Sequence, residues 1–303
     1  MQQPVEAPYR GRFAPSPTGP LHFGSLVAAL ASFADARAHD GAWLVRMEDL
    51  DGVREVAGAA NDILCTLEAL GFEWDGPILY QSTHREAYAE ALSHLGRQSL
   101  TFPCVCSRKE IAQAAQRGPE GPIYPGTCRN GVSVAHSAQA IRLRAQTPPI
   151  GFHDRIQGEI TQDLSRDVGD FVLRRADGMH AYQLAVVVDD AFQHINQVVR
   201  GADLIRSTPR QILLQRHLGL TTPAYAHVPL ALDRQGNKLS KSNAAAPIDA
   251  RNGLPALLQA WAFLCQATME ISPANLDEFW GQAITGWNPA CIPAKPSAQV
   301  PPQ

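Results

Sequence analysis

Apolar and polar positions along this chain fall into blocks whose period switches between helical and extended. Positions 26–37 hold only helix-tolerant residues, whereas Pro15, Pro17, Gly19 and Pro20 just before them forbid a helix. A loop therefore feeds a helix N-terminus near positions 22–25. Positions 43–47 (Trp-Leu-Val-Arg-Met) read as a short apolar strand that runs into the acidic segment Glu48-Asp49-Leu50-Asp51. Ile63, Leu64, Leu67 and Leu70 recur at helical spacing until Gly71 stops them, 74–81 turns back toward a strand, and 85–95 forms a third amphipathic helix. Such alternation predicts an α/β fold with a parallel, doubly wound sheet.

The pattern then changes. Positions 133–146 are polar with the alternating run Ile141-Arg142-Leu143-Arg144, and 171–174 (Phe-Val-Leu-Arg) is again strand-like, which predicts an inserted subdomain. The run 182–189 (Tyr-Gln-Leu-Ala-Val-Val-Val-Asp) is continuously apolar and ends in Asp, the pattern of a strand buried on both faces, so the first fold is expected to resume there. Leu254, Leu257, Leu258, Trp261, Leu264 and Cys265 make one helical stripe, a short helix is expected near 276–284, and 289–303 reads as a proline-rich, frayed tail.

Length and charge narrow the classes. The 303 residues suffice for about two domains by the usual length prior. A formal charge of −3 argues against a surface built to coat nucleic acid, although positions 200–216 carry four arginines against the single acid Asp203. That set is either a local basic face or an ordinary solvated one. With neither a signal-type N-terminus nor a run approaching membrane-helix length, the expectation is a cytoplasmic protein without a membrane. Cys65, Cys104, Cys106, Cys128, Cys265 and Cys291 are then thiols or metal ligands.

Three segments carry chemistry. The loop before position 26 ends at a helix N-terminus, where unpaired backbone N–H groups and the helix dipole favour an anion; Gly24 permits close approach and His22 adds a donor. A structural capping loop is the plain alternative. Only four lysines (109, 238, 241 and 295) stand among the 26 basic residues, yet two fall within Lys238-Leu239-Ser240-Lys241-Ser242. A compact charge on a flexible stem suits phosphates whose charge moves during reaction. Cys104, Cys106 and Cys128, with Tyr124 close by, could converge on one zinc ion, a soft tetrahedral centre, and Ser107-Arg-Lys-Glu110 between them forms a capping box. Buried free thiols are the alternative reading there.

The first two segments resemble the paired signatures of class I aminoacyl-tRNA synthetases. His22-Phe23-Gly24-Ser25 is similar to their His-Ile-Gly-His element and Lys238–Ser242 to their Lys-Met-Ser-Lys-Ser loop, with Phe23, Ser25 and Leu239 as departures. Positions 12–19 (Arg-Phe-Ala-Pro-Ser-Pro-Thr-Gly) and 46–51 (Arg-Met-Glu-Asp-Leu-Asp) resemble the glutamyl branch, with Gly52-Val53 where that branch has two prolines. The resemblance implies a Rossmann-like nucleotide-binding domain split into 1–100 and 176–250, a zinc-containing α+β insertion at 101–175 that faces the RNA, and a helical extension with its tail at 251–303. It implies ATP, with Mg2+, at His22, Gly24, Ser25, Lys238, Ser240 and Lys241, of which His22 and Lys241 would be catalytic. Glutamate would lie against Arg12, Phe13, Ala14, Pro15 and Ser16, with its ammonium on Glu48 and with Tyr182 and Arg200 completing the pocket. Structural zinc would take Cys104, Cys106, Cys128 and Tyr124, with His136 as the rival fourth ligand. The segment after Ser242 is shorter than the anticodon-binding region of a full glutamyl-tRNA synthetase. The expectation is thus a monomer of the truncated type, which activates glutamate without tRNA and transfers it to the queuosine base in the anticodon of tRNA(Asp). A compact synthetase charging a tRNA 3′ end and a silent RNA- or zinc-binding module are the alternatives.

Overall fold

A computed structural model describes residues 7–132, 139–233, 235–237, 247–269 and 271–300. The first half is strand–helix alternation: β1 (Arg10–Phe13), α1 (Phe23–Arg37), β2 (Ala42–Met47), α2 (Ala59–Ala69), β3 (Leu79–Tyr80) and α3 (Arg85–Arg97). The three strands pair in parallel in the order β1-β2-β3, with Arg12 beside Leu44 and Arg46 beside Leu79. From Leu26 to Ala36 the first helix is buried at nearly every position, and its many alanines let it lie close on the sheet. Gly71 ends the α2 segment at φ 77, where a side chain would collide with Trp280; the Trp280 indole N–H donates to the Leu70 carbonyl at 2.9 Å.

The next stretch comprises β4 (Thr101–Cys104), α4 (Arg108–Ala114), the small hairpin β5 (Arg117–Gly118) and β6 (Gly121–Pro122), then β7 (Ala140–Leu143), β8 (Ile150–Asp154), β9 (Gly158–Gln162), α5 (Leu164–Asp167) and β10 (Phe171–Arg174). The capping box is present: the Ser107 hydroxyl accepts from Glu110 N–H at 3.2 Å and the Glu110 carboxylate from Ser107 N–H at 2.7 Å. Strands β10, β7 and β4 form one antiparallel sheet. The β8–β9 hairpin goes elsewhere and continues the sheet of the second half.

That second half is α6 (Tyr182–Phe192), β11 (Gln197–Gly201), α7 (Thr208–Leu218), β12 (Ala224–Val228) and β13 (Leu230–Leu232), with sheet order β11-β12-β8-β9. The run at 182–189 is helix, correcting the strand expected there. An eight-residue apolar run fits either structure by periodicity, and this helix packs between α3 and α7 with little surface left for polar residues. Asp189 and Asp190, which looked like a strand boundary, lie inside the helix with both side chains buried. The buried parallel strand is β11. Asn196, just before it, donates its N–H to the Arg10 carbonyl at 3.1 Å and so brings the two half-sheets together.

Helices α8 (Gly253–Phe263) and α9 (Leu276–Gly286) close the core, where the rings of Phe33, Phe72 and Trp280 meet edge to face at 4.8 to 5.3 Å. The expected frayed tail is also corrected. Strand β14 (Ser297–Gln299) pairs in parallel with β13, and Leu230 N–H bonds the Pro296 carbonyl at 3.0 Å. Pro296 gives the ladder only its carbonyl and Pro293 lies before it, so every residue of β14 keeps its N–H. No described helix is long and apolar enough to cross a membrane.

Candidate active site

A cleft of about 650 Å³ opens where β1, β2 and β11 end and α1 begins, the expected ligand position in an open α/β sheet. Its floor carries Arg12, Phe13, Ala14, Pro15 and Ser16. Glu48, Tyr182 and Arg200 face them, and His22, Gly24 and Ser25 line the side where α1 starts. The loop after β1 is stitched to the loop after β2: Glu48 N–H donates to the Pro15 carbonyl at 2.9 Å and Val56 N–H to that of Pro17 at 3.0 Å.

His22 is the cap residue of α1. Its Nδ1 accepts from Ser25 N–H at 3.3 Å, which puts the proton of the neutral ring on Nε2, 3.2 Å from the Ser25 hydroxyl oxygen. The positive end of the helix dipole and the Ser25 hydroxyl therefore lie on the same side of the cleft.

Behind the floor lies a charged network. Asp190 accepts from Arg12 Nε at 3.2 Å and from Arg46 Nη1 at 2.8 Å, and Arg46 also reaches Gln193 at 2.9 Å and Glu48 at 3.5 Å. Asp189 is held by Gln81, Tyr88 and His84 at 2.7 to 2.8 Å. Burial raises the Asp190 carboxyl, but Arg12 and Arg46 outweigh it and keep the group below the usual carboxylate range. Glu48 moves the other way, because burial exceeds the pull of Arg46 and Arg12. A ligand cation beside it would favour its charged form. Burial pushes the Tyr182 hydroxyl up to about 12, so it is a donor at neutral pH.

Arg200 is set differently. Its Nε donates to His227 Nε2 at 3.0 Å, and its Nη2 to Thr208 Oγ1 at 2.9 Å and Gln211 Oε1 at 2.8 Å. Its Nη1 is buried and has no partner among the described residues. A buried guanidinium nitrogen without an acceptor, in a residue that lines an open cleft, fits a ligand carboxylate.

Away from the cleft residues, the sulfurs of Cys104, Cys106 and Cys128 lie within 4.8 Å of one another. The Tyr124 hydroxyl is 3.4 Å from the Cys104 sulfur and accepts from Cys128 N–H at 2.9 Å. Three thiols converging this closely form a donor set suited to zinc. Burial pushes the Cys106 thiol up to about 11, while Cys128 is moved down because hydrogen bonds, first from Val105, outweigh its burial. The Arg142 guanidinium stacks 4.0 Å over the Tyr124 ring.

Lys238, Ser240 and Lys241, and the rival ligand His136, lie outside the described residues. Every other residue expected in the ATP or glutamate sites lines the one cleft. Sequence reasoning missed Arg46, Asp190, His227 and Asp154 as parts of the site. The signals were faint: Arg46 is a charge inside an otherwise apolar strand, and Asp189-Asp190 is an acid pair closing an apolar run.

The family model of the catalytic domain of class I tRNA synthetases (E and Q) matches residues 9–271. A glutamyl-Q tRNA(Asp) synthetase of Dechloromonas aromatica (strain RCB) is 54% identical over 300 residues, covering 98% of this chain and 100% of its own. That of Chromobacterium violaceum is 52% identical over 291 residues, 95% of this chain and 96% of its own. The crystal structure of a glutamate tRNA ligase from Elizabethkingia meningosepticum CCUG26117, in complex with its amino acid, superposes with a TM-score of 0.76 at 24% identity. It covers 97% of this chain and 67% of that one, and shows the fold to be shared.

Proposed function

The chain belongs to the class I aminoacyl-tRNA synthetases of the glutamyl and glutaminyl type, and from that premise we infer a ligase that activates glutamate with ATP and modifies tRNA(Asp) at queuosine. The observation that carries the glutamate reading is the buried, unpartnered Nη1 of Arg200, in a cleft that also holds Glu48 and the start of α1. An amino acid with two carboxylates and an ammonium would find Arg12 and Arg200 for the first and Glu48 for the second. Tyr182 would donate to a carboxylate, and 13–16 would supply the wall. Arg12 has its Nε tied to Asp190, which leaves the two terminal nitrogens of its fork for a ligand.

Glutamate is ionised at neutral pH, so its carboxylate needs no general base to attack the α-phosphorus of ATP. A C–O–P linkage forms, the bond to the β-phosphate breaks and pyrophosphate leaves. His22, Ser25 and the α1 N-terminus would stabilise the charge on the phosphate oxygens, with Gly24 leaving room and with Lys238, Ser240 and Lys241 approaching from the lysine segment. Mg2+, typical of the family with ATP, would neutralise phosphate charge. In the second step an acceptor on the RNA attacks the acyl carbon and AMP departs.

The finer assignments are proposals of the same kind. Zinc would be held by Cys104, Cys106, Cys128 and Tyr124 and would be structural, with His136 as the alternative ligand. The acceptor would be the queuosine base in the anticodon of tRNA(Asp), the protein a cytoplasmic monomer, and the chain divided near 100, 175 and 250, with the β8–β9 hairpin reaching back to the second half. Two measurements test the reading: glutamate-dependent ATP–pyrophosphate exchange without tRNA, and charging with labelled glutamate on tRNA(Asp) with and without queuosine. Activity restricted to queuosine-containing tRNA is expected. Charging of a tRNA 3′ end would point to a compact synthetase, and absence of exchange to a silent RNA- or zinc-binding module.

A further inference from the structure

We propose that Asp154 and His227 are positioning residues that hold Arg200 in place through a neutral acceptor, leaving its positive charge for a substrate carboxylate. The inference rests on the reading that Arg200 receives a carboxylate of glutamate. Arg200 on β11 and His227 on β12 are direct register partners across the parallel ladder, and Asp154 ends the next strand, β8. Both His227 and Asp154 are fully buried.

The proton positions follow from donor counting. Asp154 Oδ1 accepts three backbone N–H groups, from Gln157 at 2.8 Å and from Ile156 and His227 at 3.1 Å. Its Oδ2 lies 2.6 Å from His227 Nδ1. The carboxylate cannot donate, so Nδ1 carries the proton and Nε2 presents a lone pair. That lone pair meets Arg200 Nε–H at 3.0 Å. Burial, ahead of every other influence, pushes His227 down to about 4, which keeps the ring neutral.

The remaining bonds complete the clamp. Gln211, which accepts from Arg200 Nη2, is itself fixed by donating to Gln183 at 3.0 Å, and Gln183 donates to Ser207 at 3.0 Å. Every acceptor on Arg200 is thus uncharged. Arg12 and Arg46 differ, since both form ion pairs with Asp190. Among the described residues no carboxylate pairs with Arg200. An acid in the place of His227 would orient Arg200 equally well but would compete with the ligand for its charge.

Asp154→Asn breaks the device without changing its shape. Because three N–H groups aim at Oδ1, the amide oxygen must stay there and the NH2 must face His227 Nδ1. The ring proton then moves to Nε2 and confronts Arg200 Nε–H, donor against donor. Exchange kinetics should show the KM for glutamate raised roughly 10- to 100-fold, as for loss of an oriented charged hydrogen bond, with the KM for ATP changed less than about twofold. Arg200→Ala, run in parallel, should raise the same KM at least as much. If Arg200→Ala does so and folded Asp154→Asn does not, the positioning role is overturned and the glutamate reading stands. An unchanged KM in Arg200→Ala overturns both. Should the Asn variant not fold, 15N NMR of His227 in the unmodified protein decides. A neutral ring protonated on Nδ1 from pH 8 to pH 5 is the expected result, and one protonated on Nε2, or titrating near 6.5, overturns the proposal.

Discussion

Behind the cleft stands a continuous apolar core in which α1, β1, β2, α8 and α9 meet, and the polar groups of the site are cross-linked over long sequence distances. Around the cysteines the apolar part is small, although Asp170 ties Arg129 and Arg142 to the same region at 2.7 and 2.9 Å. Their cluster buries Phe102, Cys104, Tyr124 and Cys128, and α4 beside them has no buried residue at all. The cleft is therefore organised by hydrophobic burial plus ion pairs centred on Asp190, with Arg200 Nη1 left open to a ligand. The cysteine segment has too small a core for that, and its order is expected to depend on a metal.

The difference can be broken at either end. The largest effect expected is removal of zinc, because structural zinc sites in small peptides bind with about 10 to 16 kcal/mol and that energy is folding energy. One zinc per chain is expected by metal analysis. Chelation should speed amide exchange across 101–129 while α1 and α8 stay protected; a reduced protein free of metal would sink the zinc reading. Next comes Asp190→Asn, which removes the charge shared by Arg12 and Arg46. The cost should be about 3 kcal/mol, at the low end for breaking a buried ion pair because Glu48 remains 3.5 Å from Arg46. Global denaturant midpoints should fall, with amide exchange around the cysteines unmoved.

Acid sharpens the same contrast. His227 is depressed from 6.5 to about 4, so its share of stability is present above 6.5 and lost as pH falls through that window, a loss of order 3 kcal/mol. Glu48 is raised, so its share is present below 4.5 and lost as pH rises, which opposes the His227 trend. In Glu48→Gln the opposition is gone, and denaturant midpoints should drop steeply between pH 7 and pH 4.5. A flat profile would contradict a buried neutral His227. The smallest effect is Ser107→Ala, which removes a helix cap worth about 1 kcal/mol. Faster amide exchange confined to α4, with unchanged KM for glutamate, is the expected outcome.

Much of the site was legible because its signals are local. Proline and glycine before 22–25, the apolar helix after it and the acid at position 48 each mark a backbone turn or strand end within a few residues. Cys104, Cys106, Tyr124 and Cys128 declared themselves by proximity in the same way. What the sequence did not reveal is long-range. Arg200 was named only through the family resemblance, and Asp154 and His227, which hold it, come from two other strands that no spacing rule connects to it. The helix at 182–192 was misread because burial on several sides erases the polar stripe that distinguishes a helix from a strand. The prolines before β14 read as disorder in sequence, although Pro296 contributes its carbonyl to the ladder and the strand's own N–H groups stay intact.

Strand β13 lines the cleft through Leu230 and Ala231 and completes its ladder with β14, a segment far later in the chain. A ribosome makes the core strands and α1 first, so one wall of the cleft stays without its neighbour until 297–299 are synthesised. The order of synthesis thus makes this wall one of the last parts to be finished, after even the α8 and α9 side of the core.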